Sequence, residues 1–230
     1  MMRPPWWKYW LSYVFDLRVE EVPSSINPHL FVNLSRGRYQ LTTSNAIYSF
    51  ADLYGNFLRT FDRVRWEMLT GDEVLLLGLG LGSIPYMLER KFNKSFHYTG
   101  VEVDEEVIYL INKYVLGDLK RPLTIYHADA VSFMQETTRQ WDLVCVDLFV
   151  DDEIPSGAFD SPFLYQIKET LSNEGLLLYN TLARTTDDIQ KSRRFLDEVF
   201  MPVFPDGGYL DVGGNWILIN DNKLVKQYHK

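Results

Sequence analysis

The feature that most constrains the fold of this chain is a series of five short, almost continuously apolar segments after residue 71. Stretches of helical character separate them. A strand is apolar along its whole length when both of its faces are covered, as in a parallel sheet with helices on both sides. The sequence therefore predicts a doubly wound α/β domain whose strands lie in VLLLGL, FHYTGVEV, LTIYHA, DLVCVDL and GLLLYNTL.

Other patterns flank this series. The tail, VFMPVFPDGGYLDVGGNWILIND, predicts an antiparallel hairpin with a glycine turn at residues 213–214, which closes the sheet. Residues 8–49 predict a small β element of about three strands, the last two paired around Ser35-Arg36-Gly37. Helical spacing of apolar residues predicts one helix over residues 50–69. We expect two domains, a small N-terminal β element (1–50) and the α/β domain (51–230).

Charge and hydropathy exclude several classes of partner. The net charge is −8, and an acidic surface repels nucleic acid, so cationic or neutral small substrates suit this chain better. No apolar run reaches the roughly 18 residues that span a bilayer. The N-terminus lacks the pattern of a signal peptide, and we expect a cytoplasmic protein. The single cysteine, Cys145, excludes a disulfide framework and is predicted to be buried.

Aromatic residues cluster near the N-terminus, in MMRPPWWKYWLSYVF. One small hairpin cannot bury them all, and exposed aromatic side chains are typical of interfaces. We therefore predict a homodimer.

The turn after the first strand of the series carries glycine at three alternate positions, Gly78, Gly80 and Gly82. Glycine allows a sharp strand-to-helix turn and the close approach of a ligand. By itself the motif fits a tight turn without a ligand equally well.

Acidic side chains follow the next three strands and favour a ligand. Glu102 can accept hydrogen bonds from ribose hydroxyls, whereas Asp104 suits the cap of the following helix. Asp129 can bind an exocyclic adenine amine, with Ala130 leaving room beside the ring. Asp147 ends the fourth strand. Because the carboxyl ends of parallel strands meet at one edge, these side chains are predicted to converge with the glycine turn on a nucleoside site.

An acidic loop, DDEIPSG, follows the fourth strand. A charged run is usually a solvated turn, but its place above the same edge of the sheet makes Asp151 and Asp152 candidates for binding a cationic substrate. No metal is expected in the site.

From about residue 54 to residue 220 the chain resembles the spermidine synthase family of polyamine aminopropyltransferases, which are related to class I methyltransferases. The similar segments are LLLGLGLGS, VEVDEEVI, YHADAVSFM, WDLVCVDLF and FLYQIKETLSNEGLLLYN. The resemblance implies a class I methyltransferase-like Rossmann fold and S-adenosylmethionine, or its decarboxylated form, as the donor substrate.

The resemblance also implies residue roles. Glu102 would hold the ribose, Asp129 the adenine, and Asp147 would orient or deprotonate an attacking amine; Tyr54 lies near the family's active-site tyrosine. Leu81 stands where the family has an acid that receives the donor's aminopropyl ammonium, and Val150 stands at a second acidic position. Leu81 favours methyl transfer, whereas the overall resemblance favours aminopropyl transfer.

Two other functions compete with a transferase. The first is a nucleoside-binding relative of the family without catalytic activity, which would fit the absence of acids at Leu81 and Val150. A nicotinamide dehydrogenase rests on the glycines and Glu102 alone, and the predicted hairpin tail disfavours it.

Overall fold

Two β-sheets carry the fold of the residues that the computed structural model describes, 4–27, 29–44, 46–149 and 156–226. The first sheet is antiparallel, with its strands in chain order: β1 (Leu17–Val22), β2 (Leu30–Ser35), β3 (Arg38–Thr42) and β4 (Ile47–Ser49). The second sheet has seven strands: β5 (Glu73–Leu77), β6 (His97–Glu102), β7 (Leu123–His127), β8 (Trp141–Val146), β9 (Leu171–Leu182), β10 (Gly208–Asp211) and β11 (Asn215–Ile219). Their spatial order is β10-β11-β9-β8-β5-β6-β7.

Helices connect the strands of the larger sheet and precede both sheets. They are α1 (Trp6–Leu11), α2 (Gly55–Phe61), α3 (Ser83–Arg90), α4 (Glu105–Tyr114), α5 (Ala130–Glu136), α6 (Ser161–Thr170), α7 (Thr186–Phe195) and α8 (Met201–Val203). A π-helical turn, Leu196–Phe200, joins α7 to α8. Short 3₁₀ helices span Ala51–Leu53, Trp66–Met68, Leu116–Asp118, Ser156–Phe159 and Asn222–Leu224. None of these described helices has the length and apolar character needed to cross a membrane.

The predicted α/β sheet is confirmed. Strands β5 to β9 are mutually parallel, and β11 and β10 close the sheet as an antiparallel hairpin. Alternate residues of β5 supply two different cores: Val74 and Leu76 face one, Leu75 and Leu77 the other. Cys145 is fully buried, as predicted. Burial on both faces is the physical reason for the continuous apolar runs.

The N-terminal sheet is also confirmed, with one strand more than predicted. The β2–β3 hairpin turns at Arg36 and Gly37, whose φ angles of 49° and 70° are the left-handed pair that a two-residue hairpin requires. Strand β4 and the aromatic helix α1 were not predicted. The boundary between the two domains stays a prediction.

The single helix predicted over residues 50–69 is wrong. The segment forms only α2 and two 3₁₀ turns, and Val64 instead pairs with Val225 in an antiparallel bridge. Arg65 N–H donates to the carbonyl of Leu224 at 2.9 Å, so long-range backbone pairing replaces the local hydrogen bonds that would continue a helix.

The small sheet packs on the larger domain through apolar and polar contacts. Leu30, Val32 and Leu41 form a buried cluster with Leu81 and with α4. Asp104 is 3% exposed and caps α4 by accepting from Glu106 N–H. Its second oxygen accepts from Ser24 Oγ at 2.7 Å and from Asn27 Nδ2 at 3.0 Å. Asp104 therefore ties the N-terminal segment to the start of α4.

We predict that Asp104→Ala lowers the free energy of unfolding by about 2–4 kcal/mol, because it removes a helix cap and the acceptor of the buried Asn27 amide and the half-buried Ser24 hydroxyl. Thr185→Ala is the matched control, since Thr185 only caps α7 and its loss costs about 1 kcal/mol. Urea denaturation measures both. Equal losses in the two variants would contradict a tie between the sheets.

Candidate active site

The glycine turn after β5 adopts a backbone that only glycine accepts easily. Gly78, Gly80 and Gly82 have φ angles of 86°, 49° and 68°. A β-carbon on Gly78 would lie 2.3 Å from the carbonyl oxygen of Asp147. Gly78 and Gly80 line a pocket at the carboxyl edge of the sheet. Gly82 lies outside that lining and packs against Ile111 of α4 instead.

Glu102 ends β6 and holds the glycine turn in place. Its carboxylate accepts the backbone N–H of Leu79 at 3.0 Å, of Val103 at 2.9 Å and of Asp104 at 3.0 Å. Burial raises the pKa of this carboxyl, and the hydrogen bonds from the backbone partly offset the rise. A carboxylate accepts about four hydrogen bonds, so among the described residues Glu102, which lines the pocket, keeps one position open for a hydroxyl.

Asp129 and Ala130 line the same pocket after β7. One oxygen of Asp129 caps α5, accepting from Ser132 N–H at 2.9 Å and from Ser132 Oγ at 3.0 Å. Its other oxygen makes no hydrogen bond to the part of the chain that the structure describes. That oxygen can accept a hydrogen bond from an amine of a ligand.

Asp147 follows β8 and is held by a chain of polar side chains. Its Oδ1 accepts from Asn180 Nδ2 at 2.8 Å and from the Tyr54 hydroxyl at 3.3 Å. Asn215 Nδ2 in turn donates to Asn180 Oδ1 at 2.9 Å, which fixes the orientation of the Asn180 amide. The structure thus brings Tyr54 to Asp147 across 93 positions of sequence.

The environment tunes Asp147 as a proton acceptor. Burial raises its pKa from 3.8 to about 6, a rise that the hydrogen bonds from Asn180 and Tyr54 reduce and the charge of Glu102 increases. Burial and the neighbouring Asp147 raise the pKa of Tyr54 well above 10, so Tyr54 stays protonated and donates. A carboxylate with a pKa near 6 is ionised at neutral pH and basic enough to take a proton.

The N-terminal segment forms one wall of the pocket, which sequence reasoning missed. Asn27 and Tyr48 both line it, and the Tyr48 hydroxyl donates to Asn27 Oδ1 at 2.8 Å. Ser49 Oγ accepts the backbone N–H of Leu81 at 2.9 Å, so β4 binds the glycine turn directly. With this wall the pocket encloses about 1010 Å³ of empty space, including its open mouth.

Leu81 does not line this pocket. Its side chain is 2% exposed and packs between the small sheet and α4, against residues such as Leu30 and Val107. Leucine at this position therefore stabilises the packing between the small sheet and the larger domain. Position 81 contributes no acidic side chain to the pocket.

The remaining sequence-predicted residues fall elsewhere. Asp151 and Asp152, together with Val150, lie outside the residues that the structure describes. Besides Asn27 and Tyr48, sequence reasoning missed Asn180, Asn215 and Arg184, of which Asn215 and Arg184 line the pocket. The sequence did offer a signal for Asn180. Like Asp147, it is a lone polar residue near the carboxyl end of an apolar strand. Asn215 carried none, since only the closing hairpin brings it to the edge. Arg184 follows the carboxyl end of β9, the same kind of position as the predicted acids.

Comparison with solved structures defines the fold class of this protein. Human methyltransferase-like protein 13, solved in complex with SAH, superposes with a TM-score of 0.55 at 21% identity, over 67% of this chain and 74% of that one. A probable spermidine synthase from Corynebacterium glutamicum gives a TM-score of 0.70 at 16% identity, over 90% and 80% of the two chains. The fold is therefore that of the class I methyltransferase-like α/β proteins, as predicted.

The family follows from the sequence match. Residues 68–205, more than half of the chain, match the model of the spermine/spermidine synthase domain. A polyamine aminopropyltransferase from Vibrio vulnificus is 27% identical over 115 residues, which is 49% of this chain and 38% of that relative's length. The chain belongs to the spermine/spermidine synthase family, which confirms the resemblance found in the sequence and its assignment to a family of transferases.

We predict that the buried carboxyl of Asp147 lowers stability as it ionises. Its pKa of about 6 in the folded state exceeds the ordinary 3.8, so folding favours the protonated form. The free energy of unfolding should fall as pH rises from about 4 to about 6, by on the order of 1–2 kcal/mol. Asp147→Asn has no carboxyl to ionise, so its free energy of unfolding should not fall in this way. At pH 8 it should unfold at a higher urea concentration than the wild type.

The control for this comparison is Asp206→Asn, which removes an exposed carboxylate outside the pocket. The control should follow the wild type at both ends of the pH range. An Asp147→Asn variant that is less stable than the wild type at pH 8 would contradict a penalty for the buried charge.

Proposed function

We propose that this protein is a transferase that binds an S-adenosylmethionine-type nucleoside and moves an aminopropyl or methyl group to a small amine-bearing acceptor. The observation that carries the proposal is Asp147, a half-buried carboxylate with a pKa of about 6 in the same pocket as the glycine turn. Membership of the spermine/spermidine synthase family supports the same reaction class.

The pocket offers complementary groups for each part of a nucleoside. The open position on Glu102 suits a ribose hydroxyl, and the free oxygen of Asp129 suits the exocyclic amine of adenine. Apolar side chains that also line the pocket, including Val103, Val131 and Leu148, provide surface for a flat base. Gly78 and Gly80 carry no β-carbon, which lets the turn pack closely against the backbone of Asp147 and against Ser49 at the edge of the pocket.

Asp147 is proposed to act as the base at the reacting centre. An ammonium has no free electron pair, so the acceptor must first lose a proton, which Asp147 takes. The freed pair on nitrogen then forms a bond to the carbon beside the donor's sulfonium. The carbon–sulfur bond breaks, and its electrons neutralise the sulfur. Asn180 and Tyr54 hold one oxygen of Asp147, which leaves the other available for the amine.

The identity of the transferred group depends on the donor's tail. Aminopropyl transfer is the activity named for the relative from Vibrio vulnificus. Leu81 is buried between the sheets, so an ammonium on the tail finds no acid there. This observation favours methyl transfer from intact S-adenosylmethionine as the second candidate function. The alternative to both transfer reactions is a nucleoside-binding protein without catalytic activity.

Turnover tests the proposal. The protein is incubated with S-adenosylmethionine or its decarboxylated form and a set of primary amines, and the nucleoside products are identified by mass spectrometry. Asp147→Asn should lower turnover by about 10²–10⁴-fold, because it removes the base. Its affinity for the nucleoside, measured by calorimetric titration, should stay unchanged.

The matched control is again Asp206→Asn, which should turn over like the wild type. Nucleoside binding without turnover of any amine by the wild type would establish the non-catalytic alternative. An unaltered rate in Asp147→Asn would refute the role of Asp147.

We also propose a homodimer that buries the aromatic face of α1. Trp6 is 77% exposed and Trp10 is 64% exposed, and large apolar side chains exposed together are typical of an interface. Equilibrium sedimentation should show a dimer for the wild type and a monomer for the double variant Trp6→Ser, Trp10→Ser. A monomeric wild type at micromolar concentration would contradict the proposal.

A further inference from the structure

A positively charged side chain stands in the candidate active site of this acidic protein. Arg184 follows β9, lines the same pocket as Asp147 and Tyr54, and is exposed there. Burial and Asp147 raise the pKa of Tyr54, and the positive charge of Arg184 opposes that rise slightly. The function of Asp147 as a base does not account for this cation.

The guanidinium of Arg184 has no protein partner within the described ranges, 4–27, 29–44, 46–149 and 156–226. The nearest carboxylate in sequence, Asp188, accepts from the backbone N–H groups of Arg184 and Thr185 and closes the capping box of α7. Asp211, on the neighbouring hairpin, accepts from Gly213 N–H. Neither acid forms an ion pair with Arg184.

A second arginine lies close by. Arg184 Cγ would be 3.6 Å from a β-carbon on Gly214, and Arg59 Nη2 would be 3.8 Å from one on Gly213. The two arginines therefore flank the same glycine turn, one from the end of β9 and one from α2. Arg59 has no ion-pair partner among the described residues either. Arg184 lines the pocket, whereas Arg59 lies outside its lining and adds a second positive charge at the same turn. Neighbouring cations together attract an anionic group.

We propose that Arg184, with Arg59 beside it, binds a carboxylate of a substrate whose reacting part lies at Asp147. This inference rests on the proposed function and specifies its substrate class as an aminocarboxylate. A diamine would bring a second ammonium towards Arg184 and be repelled. An aminocarboxylate presents its amine to Asp147 and its carboxylate to the planar guanidinium, which binds carboxylates through two parallel hydrogen bonds.

The carboxylate has two possible sources, the acceptor and the donor. An amino-acid-like acceptor carries one beyond its amine. Intact S-adenosylmethionine carries one on its tail, whereas the decarboxylated donor carries none. Binding measurements with two matched pairs of ligands separate these sources.

The first pair tests the acceptor. With the site saturated by 5′-methylthioadenosine, whose short tail carries neither an amine nor a carboxylate, 4-aminobutanoate and 1,4-diaminobutane are titrated calorimetrically. These ligands share a four-carbon chain and differ in one end group. The second pair, S-adenosylmethionine and its decarboxylated form, is titrated into the free protein and tests the donor.

We expect the wild type to prefer the carboxylate-bearing member of one pair, and that pair identifies the source. Arg184→Gln should weaken binding of the preferred ligand by about 10–100-fold, the range expected for a charge-assisted hydrogen bond, and abolish the preference. Arg184→Lys keeps the positive charge but loses the two parallel hydrogen bonds of the guanidinium, so it should retain part of the preference for the carboxylate-bearing ligand. Arg194→Gln removes an exposed charge of α7 outside the pocket and should behave like the wild type.

Two results overturn the inference. One is a wild type that binds the diamine and the decarboxylated donor at least as tightly as their carboxylate partners. The other is an Arg184→Gln variant that leaves both preferences unchanged. If 5′-methylthioadenosine itself does not bind, the proposed function fails; if it binds while no preference exists, only the role of Arg184 fails.

Discussion

The buried carboxylate of Glu102 is the interaction on which the pocket depends. It accepts backbone N–H groups from the glycine turn after β5 and from the residues that lead into α4. Two residues later Asp104 caps α4 and binds Ser24 and Asn27. One short segment thus positions the glycine turn on one side and the N-terminal wall on the other. A backbone held in this way keeps its shape before a ligand arrives, which lowers the entropy cost of binding.

The second organising group, Asp147, opposes stability. Burying a carboxylate without a cation beside it costs free energy, and the hydrogen bonds from Asn180 and Tyr54 recover only part of that cost. The same burial raises its basicity towards the range useful near neutral pH. Groups that are unfavourable for folding and favourable for proton transfer are typical of active sites. The rigid sheet around Asp147, with Leu143 and Cys145 fully buried, tolerates this cost.

The sequence allowed the larger sheet to be predicted strand by strand, because continuous apolar runs arise only where both faces are covered. It also placed Gly80, Glu102, Asp129 and Asp147 at one edge, since parallel strands end together. The helix predicted over residues 50–69 failed for the opposite reason. The spacing of its apolar residues is helical. Val64, however, pairs with Val225, which lies 161 positions further along the chain, and no local pattern reveals such a partner.

The sequence by itself determined the strands of the larger sheet, the glycine turn, the acids that follow the strands and the family. These features are local or periodic, and each leaves a trace in consecutive residues. Only the tertiary structure decided that the N-terminal sheet forms a wall of the pocket, that Leu81 faces that sheet, and that Arg184 lines the same pocket as the proposed base. These facts depend on how the sheets and the closing hairpin pack together, and packing brings into contact residues whose spacing in sequence carries no signal.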